Sequence, residues 1–172
     1  MQHRSHHHPH LEVRTAGGKG VGIFAKAKIA RGELLVVTAG RVIATADLKS
    51  HPAPEHPFQI EQGILLAPWD VEHLDGIFTV NHSCAPNAGL RGQVSLLAVR
   101  DIQAGDEICY DYVMTDSDPN GVETFRLKKC LCGARECRGS ISDLDWRDRA
   151  LQDRYRGHFS AYLAARIAAL SA

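Results

Sequence analysis

The sequence predicts a mainly β domain, followed by a zinc-binding cysteine cluster and by short helices near the C-terminal end. Three observations lead to this prediction. Over the first two thirds of the chain, short apolar runs alternate with glycine-containing turns, which is typical of strands and hairpins. The segment CLCGARECRG then places three cysteines within eight residues. From Leu144 onward, apolar side chains recur mostly at helical spacing.

The composition excludes several classes of protein. The 172 residues suffice for one domain with a substantial core, but not comfortably for two. Lysine plus arginine equals aspartate plus glutamate at 20 each, so no surplus of positive charge favours nucleic-acid binding. No apolar run approaches the roughly 18 residues of a membrane span. Because the first residues lack the apolar core of a signal peptide, we expect a protein that is not exported.

The strands are expected at the apolar runs. One strand begins near Gly22, and ELLVVTAGRVI is predicted to form a hairpin with strands at 33–37 and 41–43. PFQIEQGILLAP predicts a second hairpin that turns at Gln62-Gly63, and QVSLLAVRDI a strand before a turn at 103–106. The proline-rich segment TADLKSHPAPEHP and the segment TDSDPNGVET are predicted to be surface loops.

The two ends of the chain differ in character. Five of the ten histidines lie in the first ten residues, which we interpret as a disordered leader or a vector-derived remnant; adventitious metal binding is the alternative. After Leu144 we expect one or two short helices, with Gly157 as a possible break. These helices either pack onto the domain with an amphipathic face or bind a partner.

The cysteine cluster has the spacing of a metal site. Cys130, Cys132 and Cys137 are close enough in sequence for three sulfurs to converge on one ion. Structural zinc sites are four-coordinate and rich in cysteine, so the fourth ligand must come from elsewhere. The candidates are Cys84, Cys109 and a histidine, and Cys84 is best placed because it lies in the polar loop NHSCAPN. Cys109 lies in an apolar run and is expected to be a buried thiol. The alternative is a set of ordinary free cysteines.

Three other segments contain residues suited to ligand binding, and each also has a purely structural explanation. The glycines of GGKGVG let a backbone approach a ligand closely, or form a flexible turn before a strand. NHSCAPN combines amides, an imidazole and a hydroxyl, which suit either a site or a hydrogen-bonded turn. In GDEICYDY, Tyr110 and Tyr112 point to the same side of an extended segment. They line a narrow aromatic channel or pack at the margin of the core.

Together and in this order, these segments resemble the SET domain, the fold of protein-lysine methyltransferases, over roughly residues 11–140. GKGVGIFA resembles the first glycine motif of the family, NHSCAPN its central signature and GDEICYDY its third motif. CLCGARECRG resembles the post-SET zinc motif, including the cysteine spacing. The resemblance implies a structural zinc ion that is bound by Cys84, Cys130, Cys132 and Cys137.

The family fold is a β-clip of several small sheets with knot-like threading, in which the third motif passes beneath a loop near the NHSC strand. Such threading is rare in proteins generally. The resemblance implies the following division: a disordered leader at 1–10, a SET domain at 11–113, a loop at 114–128, a post-SET zinc motif at 129–141 and a C-terminal helical extension at 142–172.

The resemblance also implies S-adenosyl-L-methionine as the cofactor and transfer of its methyl group to a protein lysine. The implied cofactor-binding residues are Lys19, Gly20, Val21, Asn81, His82 and Leu131. Tyr112 corresponds to the tyrosine beside the transferring methyl group, and Tyr110 to the phenylalanine/tyrosine switch. Because a tyrosine at the switch leaves less room for extra methyl groups, we expect mono- or dimethylation.

The resemblance has a departure that supports a second hypothesis. The strand after the first motif often carries a tyrosine near the methyl site, but this sequence has Thr38-Ala39-Gly40 there. A non-catalytic SET-like module that binds a peptide without turnover is therefore the alternative. The segment between this strand and Asn81 is only about forty residues long, which suggests a minimal groove and broad specificity. A zinc knuckle that binds nucleic acid is a third reading, and the balanced charge speaks against it.

The implied partner is a protein that presents a lysine in an extended segment, docked as an added strand at a sheet edge. Basic chromosomal proteins, histones and ribosomal proteins all fit this description. No membrane association and no direct contact with nucleic acid are expected. We expect a cytoplasmic, bacterial-type enzyme, or a nuclear and chromatin-associated one if the chain is eukaryotic.

Overall fold

A computed structural model of the chain describes residues 4–72, 74–115, 126–127 and 129–170, with only the backbone described at 126–127. Short strands dominate these residues, in agreement with the predicted mainly β class, and several 3-10 turns and two short helices complete them. The strands are β1 His6–His7, β2 Leu11–Thr15, β3 Val21–Ala25, β4 Leu34–Val37, β5 Arg41–Ala44, β6 Phe58–Glu61, β7 Ile64–Ala67, β8 Asn81–His82, β9 Ala88–Arg91, β10 Ser95–Ala98, β11 Glu107–Tyr110, β12 Arg126–Leu127 and β13 Ile141–Ser142. The helices are α1 Arg149–Arg154 and α2 Ala161–Ala169.

The strands form small separate sheets. One has the order β1-β4-β10-β9, the second β2-β3-β11-β8 and the third β5-β7-β6, while β12 pairs with β13. All pairs are antiparallel except β8 and β11, which run parallel with Asn81 beside Cys109 and His82 beside Tyr110. A parallel pair cannot be closed by a hairpin, so the chain leaves this sheet after β8 and returns to it at β11. This return brings the NHSC segment next to the third motif.

One of the two predicted hairpins is wrong. β4 and β5 exist close to the predicted positions, but they do not pair with each other. β4 is hydrogen-bonded to β1 and β10, and β5 to β7. Gly40, between them, packs so tightly against the next sheet that a Cβ atom there would lie 2.5 Å from the carbonyl oxygen of Ala67. The segment is therefore a crossing between two sheets, and burial of β4 in the core outweighs the local turn signal.

The other local predictions agree better with the structure. β6 and β7 form the predicted antiparallel hairpin, with Gly63 at a positive φ of 71° in its turn. The segment expected as a surface loop at 45–57 begins with a 3-10 helix at Thr45–Ser50, and His51 and Ala53 are buried. Apart from Thr115, the loop predicted at 115–124 lies outside the described residues, as does most of the division at 114–128.

The N-terminal segment is part of the fold in the residues that the structure describes, which corrects the expectation of a disordered leader at 1–10. β1 pairs with β4, and the ring of His7 lies 2.6 Å from the carboxylate of Asp75. Ser5 donates its backbone N–H to the same carboxylate at 2.7 Å. His6 and His7 therefore form an edge strand, and the contacts of Ser5 and His7 with Asp75 anchor it. The composition of this segment did not indicate that it pairs with β4.

The C-terminal residues form the two predicted short helices, separated by Gly157 at a φ of 81°. Both helices begin with a side-chain cap. The side chain of Asp148 accepts a hydrogen bond from Ala150 N–H, and that of Ser160 accepts one from Leu163 N–H. Trp146 before α1 and Leu163 in α2 are buried in the main apolar core. The helices thus pack onto the domain, as the amphipathic interpretation predicted. Among the described residues, no helix combines the length and the apolar character needed to cross a bilayer.

Candidate functional site

The third motif brings two tyrosine rings together at the end of β11. Tyr110 is the last residue of that strand, and Tyr112 begins a 3-10 turn, Tyr112–Met114. Asp111 caps this turn by accepting a hydrogen bond from Val113 N–H at 3.2 Å. The ring centroids of the two tyrosines lie 5.0 Å apart with the planes tilted by 50°. The rings adjoin as expected, although the turn and not a continuous strand places the second one.

Hydrogen bonds orient both phenol groups. Tyr112 donates its hydroxyl to the carbonyl oxygen of Val80 at 3.1 Å. The hydroxyl of Tyr110 lies 3.2 Å from that of Thr115, and Thr115 donates to the Tyr112 carbonyl oxygen at 3.2 Å. Either hydroxyl can donate in the contact between Tyr110 and Thr115. These contacts hold both phenol oxygens in defined positions beside Thr115 and Val80.

A cavity of about 50 Å³ opens beside these rings. It is lined by Glu55, His56, Pro57, Phe58, Ile77, Phe78, Tyr110 and Tyr112. Six of these residues are apolar or aromatic, but Glu55 and His56 make more of the exposed lining polar than apolar. A volume of this size holds only a few non-hydrogen atoms, so the cavity suits the end of a slender side chain.

The glycine motif meets β8 and β11 at Glu107. Lys19 forms an ion pair with the carboxylate of Glu107. Asn81 donates its side-chain amide to the Glu107 carboxylate at 2.8 Å and to the carbonyl oxygen of Val21 at 2.9 Å. A Cβ atom at Gly22 would lie 2.8 Å from the Glu107 carboxylate and 2.9 Å from the Asn81 amide, so a larger residue there would displace these two groups. These contacts join the first motif to the NHSC strand.

The predicted cofactor residues differ in exposure. Val21 is 48% exposed and Leu131 57% exposed, so both offer apolar surface to solvent. His82 is buried, and its Nδ1 lies 3.3 Å from the backbone nitrogen of Tyr112 while its Nε2 lies 3.3 Å from the sulfur of Cys84. Burial lowers the pKa of His82 to about 4, against the attraction of Asp111. The imidazole is therefore neutral, and Nδ1 accepts from Tyr112 while Nε2–H donates toward Cys84.

Four possible metal-binding side chains meet beneath the tyrosines. One ligand atom each from His82, Cys84, Cys130 and Cys132 lies within 4.8 Å of the others. The Cys137 thiol interacts with those of Cys130 and Cys132. The structure therefore brings together the four cysteines that the sequence singled out, although they come from positions almost fifty residues apart in the chain, and adds a histidine beside them.

The donor set fits a zinc ion chemically. Thiolate sulfur and imidazole nitrogen are the ligands that structural zinc sites use. Burial opposes the thiolate at Cys132, but the backbone N–H groups of Cys84 and Ala134 favour it and lower its pKa to about 7. Burial raises the pKa of Cys84 to about 11. Clustered thiols of this kind are deprotonated when a cation binds them.

Cys109 behaves as predicted for a core thiol. It is 8% exposed, and burial raises its pKa to about 12. Its backbone N–H donates to the side-chain oxygen of Asn87 at 2.8 Å, which ties β11 to the end of the NHSCAPN segment. Among the candidates for a fourth sulfur ligand, Cys84 is the one that lies in the cluster.

Sequence reasoning missed the group at the centre of the site. Asp111 is fully buried, and Arg138 reaches its two carboxylate oxygens at 2.5 and 2.9 Å. Tyr155 of the helical extension donates to the same carboxylate at 2.9 Å. The sequence does show an acid between two tyrosines. It also shows an arginine directly after a candidate metal ligand. Their pairing depends on the tertiary fold, and no local pattern points to Tyr155.

Comparison with known families identifies this architecture. The SET domain family matches residues 20–113, which is more than half of the chain. This range begins within the glycine motif, at Gly20, and contains the NHSC segment and the third motif. The cysteine cluster at 130–137 lies beyond it.

Curated relatives include enzymes that modify histones. The chain is 25% identical over 165 residues to histone-lysine N-methyltransferase SUV39H1-A of Danio rerio, covering 73% of this chain and 39% of the relative. It is 30% identical over 145 residues to an H3 lysine-36 specific histone-lysine N-methyltransferase of Yarrowia lipolytica, covering 76% of this chain and 18% of the relative. The chain thus spans less than half the length of these relatives.

Solved structures with a similar fold include two of KRYPTONITE. One is in complex with mCHG DNA and SAH, with a TM-score of 0.55 and 28% identity over 76% of this chain and 28% of the other. The second, with mCHH DNA, an H3(1-15) peptide and SAH, has a TM-score of 0.55 and 27% identity, again over 76% of this chain and 29% of the other. The family match, the relatives and the solved structures agree. The chain therefore belongs to the SET domain family.

Proposed function

We propose that this protein is an S-adenosyl-L-methionine-dependent methyltransferase that modifies the side chain of a protein lysine. The observation that carries the proposal is the narrow, partly aromatic cavity beside Tyr110 and Tyr112 in a SET domain. The names of the histone-lysine methyltransferase relatives and the SAH in both KRYPTONITE structures support it. In this proposal, 11–113 is the SET domain, 129–141 the post-SET motif and 142–172 a helical extension.

The cofactor would bind where the glycine motif, β8 and the cysteine cluster meet. The proposed contacts are Lys19, Gly20, Val21, Asn81, His82 and Leu131. The ring of His82 already bonds to Tyr112 and Cys84, so we assign its contact to the backbone. The exposed side chain of Leu131 offers an apolar surface to the adenine. When bound, the cofactor supplies an electrophilic methyl group on a positively charged sulfur.

The cavity prepares the lysine for attack. A free lysine has a pKa of about 10.4 and is almost fully protonated at neutral pH. The apolar part of the wall, which includes Phe58 and Phe78, disfavours the ammonium form, whereas the carboxylate of Glu55 favours it. Once neutral, the amine needs alignment with the methyl group more than it needs a strong base. The ring of Tyr112 also favours the cationic methylammonium that forms.

The two tyrosines have different roles in this proposal. The Tyr112 hydroxyl donates to the carbonyl oxygen of Val80, which orients the phenol oxygen for weak C–H contacts with the transferring methyl group. The Tyr110 hydroxyl, positioned by its contact with Thr115, would accept an N–H of the amine. An amine held in this way has less room for further methyl groups, so we propose mono- or dimethylation.

A structural zinc ion completes the proposed site, with Cys84, Cys130, Cys132 and Cys137 as its ligands. His82 is the competing fourth ligand, because it lies in the same cluster. We favour Cys137, because the Nδ1 of His82 accepts from Tyr112 N–H and therefore leaves the proton on the nitrogen that faces Cys84. The metal would supply a rigid wall between the NHSC segment and the post-SET motif.

The proposed partner is a protein with a lysine in an extended segment. The names of the relatives and the H3 peptide in one KRYPTONITE structure favour a histone-like substrate. That structure also contains DNA, whereas the balanced charge of this chain favours no direct nucleic-acid contact. Cytoplasmic location in a bacterial-type cell, or nuclear location in a eukaryotic one, stays a prediction.

Transfer of a radiolabelled methyl group from S-adenosylmethionine to proteins of a cell lysate tests the proposal, with mass spectrometry to locate the modified residue. We expect labelled lysine with the wild-type protein and strongly reduced label with Tyr112→Phe. Saturable peptide binding without any label would favour the non-catalytic module, which the absence of a tyrosine at Thr38-Ala39-Gly40 motivates. Label on a residue other than lysine would refute the proposed acceptor.

A further inference from the structure

The C-terminal helical extension reaches the proposed active site through one phenol group. Tyr155 directly follows α1 and is buried, with 5% of its surface exposed. Its hydroxyl donates to the carboxylate of Asp111 at 2.9 Å and to the carbonyl oxygen of Cys84 at 3.2 Å. One proton is shared between these two acceptors, which lie in the third motif and in the NHSC segment. Within the part of the extension that the structure describes, no other hydroxyl bonds to both motifs.

Asp111 is the residue through which this contact can influence catalysis. It lies between Tyr110 and Tyr112 in the chain, and its carboxylate caps the turn that places Tyr112. Arg138 binds both carboxylate oxygens from the post-SET side. The carboxylate thus has donors from its own turn, from the segment after the cysteines and from the extension. A buried acid with several donors has a single low-energy orientation.

We propose that Tyr155 is a positioning residue, and that the helical extension holds the Asp111 turn in the orientation that directs Tyr112 into the cavity. This inference rests on the proposed methyltransferase function. Tyr155 does not line the cavity, so it would act through Asp111 and not on the substrate.

The extension has anchors that do not depend on the Tyr155 hydroxyl. Ser160 donates its backbone N–H to the carbonyl oxygen of Met114 at 2.8 Å, and Leu90 N–H donates to the carbonyl oxygen of His158 at 3.1 Å. Trp146 is buried in the core. Removal of the hydroxyl alone should therefore leave the helices docked and loosen only the Asp111 turn.

The chain offers a matched control for this substitution. Tyr162 in α2 is also a buried tyrosine of the extension, but its hydroxyl bonds to the side chain of Gln62 at 3.1 Å, away from the third motif. Tyr155→Phe and Tyr162→Phe each remove one phenol oxygen from the same segment. We expect Tyr155→Phe to lower kcat about tenfold with the KM for S-adenosylmethionine unchanged within about twofold. We expect Tyr162→Phe to retain the wild-type kcat.

Hydrogen–deuterium exchange provides a readout that does not require activity. Amides of residues 111–115 should exchange faster in Tyr155→Phe than in wild type or in Tyr162→Phe, while zinc content stays the same in all three proteins. If wild type transfers no methyl group, the proposed function fails, but the exchange comparison still decides whether Tyr155 holds the turn. Equal exchange and equal kcat in the two tyrosine variants would overturn the inference.

A double-mutant cycle separates positioning through Asp111 from a general loss of packing, and the single variant Asp111→Asn tests the same turn if Tyr155→Phe folds poorly. Asp111→Asn keeps the shape of the side chain but weakens its charged hydrogen bonds, including both from Arg138, so we expect a loss of kcat at least as large as that of Tyr155→Phe. If both residues act as one unit, the double variant loses no more activity than the worse single variant. Losses in kcat that multiply in the double variant would show independent effects and contradict the inference.

Discussion

The phenol oxygen of Tyr110 lies 3.2 Å from the hydroxyl oxygen of Thr115, which also donates to the Tyr112 carbonyl oxygen at 3.2 Å. This contact matters for the proposed reaction, since it fixes the position of the Tyr110 hydroxyl beside the cavity. A lysine amine that donates an N–H to this oxygen is held in one orientation. The methylation state of the product should therefore depend on both residues.

Replacement of Tyr110 by phenylalanine should raise the methylation state of the product. Without the hydroxyl, the amine can rotate and extra methyl groups find room, so the ratio of higher to lower methylated lysine should rise about tenfold. Mass spectrometry of a peptide substrate over time measures this ratio. Thr115→Val should give a smaller shift in the same direction, because it frees the Tyr110 hydroxyl without removing it. Unchanged monomethyl product in Tyr110→Phe would contradict the assignment.

Replacement of Tyr112 by phenylalanine should lower kcat at least about tenfold while binding of S-adenosylmethionine changes little. The lost oxygen removes both the bond to Val80, which orients the ring, and the weak contacts with the methyl group. Single-turnover kinetics and calorimetric titration of the cofactor separate the two effects. A Tyr112→Phe enzyme with wild-type turnover would mean that another group aligns the methyl transfer.

Zinc removal should abolish activity and destabilise the protein. We expect one zinc ion per chain by elemental analysis, and dialysis against a strong chelator should remove it together with methyl transfer. Cys109→Ala is the matched control and should keep the metal, since Cys109 is a buried thiol with a raised pKa.

The choice between the two candidate fourth ligands has its own test. Cys137→Ser should lose most of the bound zinc, whereas His82→Asn should retain it, because the imidazole lies beside the cluster as a donor to Cys84. Retention of zinc in Cys137→Ser together with loss in His82→Asn would assign the fourth position to the histidine.

The pair formed by His7 and Asp75 should make stability depend on pH. Burial alone would raise the pKa of Asp75, but hydrogen bonds from Ser5 N–H, His7 and Gly76 N–H outweigh it and hold the pKa below its ordinary value of 3.8. A carboxylate with a depressed pKa stabilises the fold above that value, and the contribution disappears as the pH falls through the lowered pKa. Asp75→Asn should therefore lower the free energy of unfolding at pH 7 by about 1 kcal/mol.

The difference between wild type and Asp75→Asn should shrink below about pH 4. Urea unfolding at several pH values measures it, with Glu72→Gln, an exposed neighbour in the same loop, as the control. A difference that is constant from pH 7 to pH 3 would show that the charge of Asp75 has no part in anchoring β1.

The sequence by itself determined the family, because four motifs in a fixed order resemble those of the SET domain and the family match over residues 20–113 confirms the assignment. The residues that the sequence assigned to the site stay a prediction. The C-x-C-x4-C spacing identified three sulfurs that can reach one ion, and the local turn at Gln62-Gly63 predicted the β6–β7 hairpin correctly.

Only the tertiary structure decided which of these parts touch. β4 and β5 do not form the predicted hairpin, because β4 pairs with β10 and β5 pairs with β7. The histidine-rich start forms a strand because it pairs with β4. The carboxylate of Asp111 accepts hydrogen bonds from Arg138 and Tyr155, which lie 27 and 44 residues further along the chain. The physical reason is the same in each case. A local sequence pattern specifies the conformation of a short segment. The partner of a strand or of a buried charge is a residue distant in sequence, and the whole fold decides which residue that is.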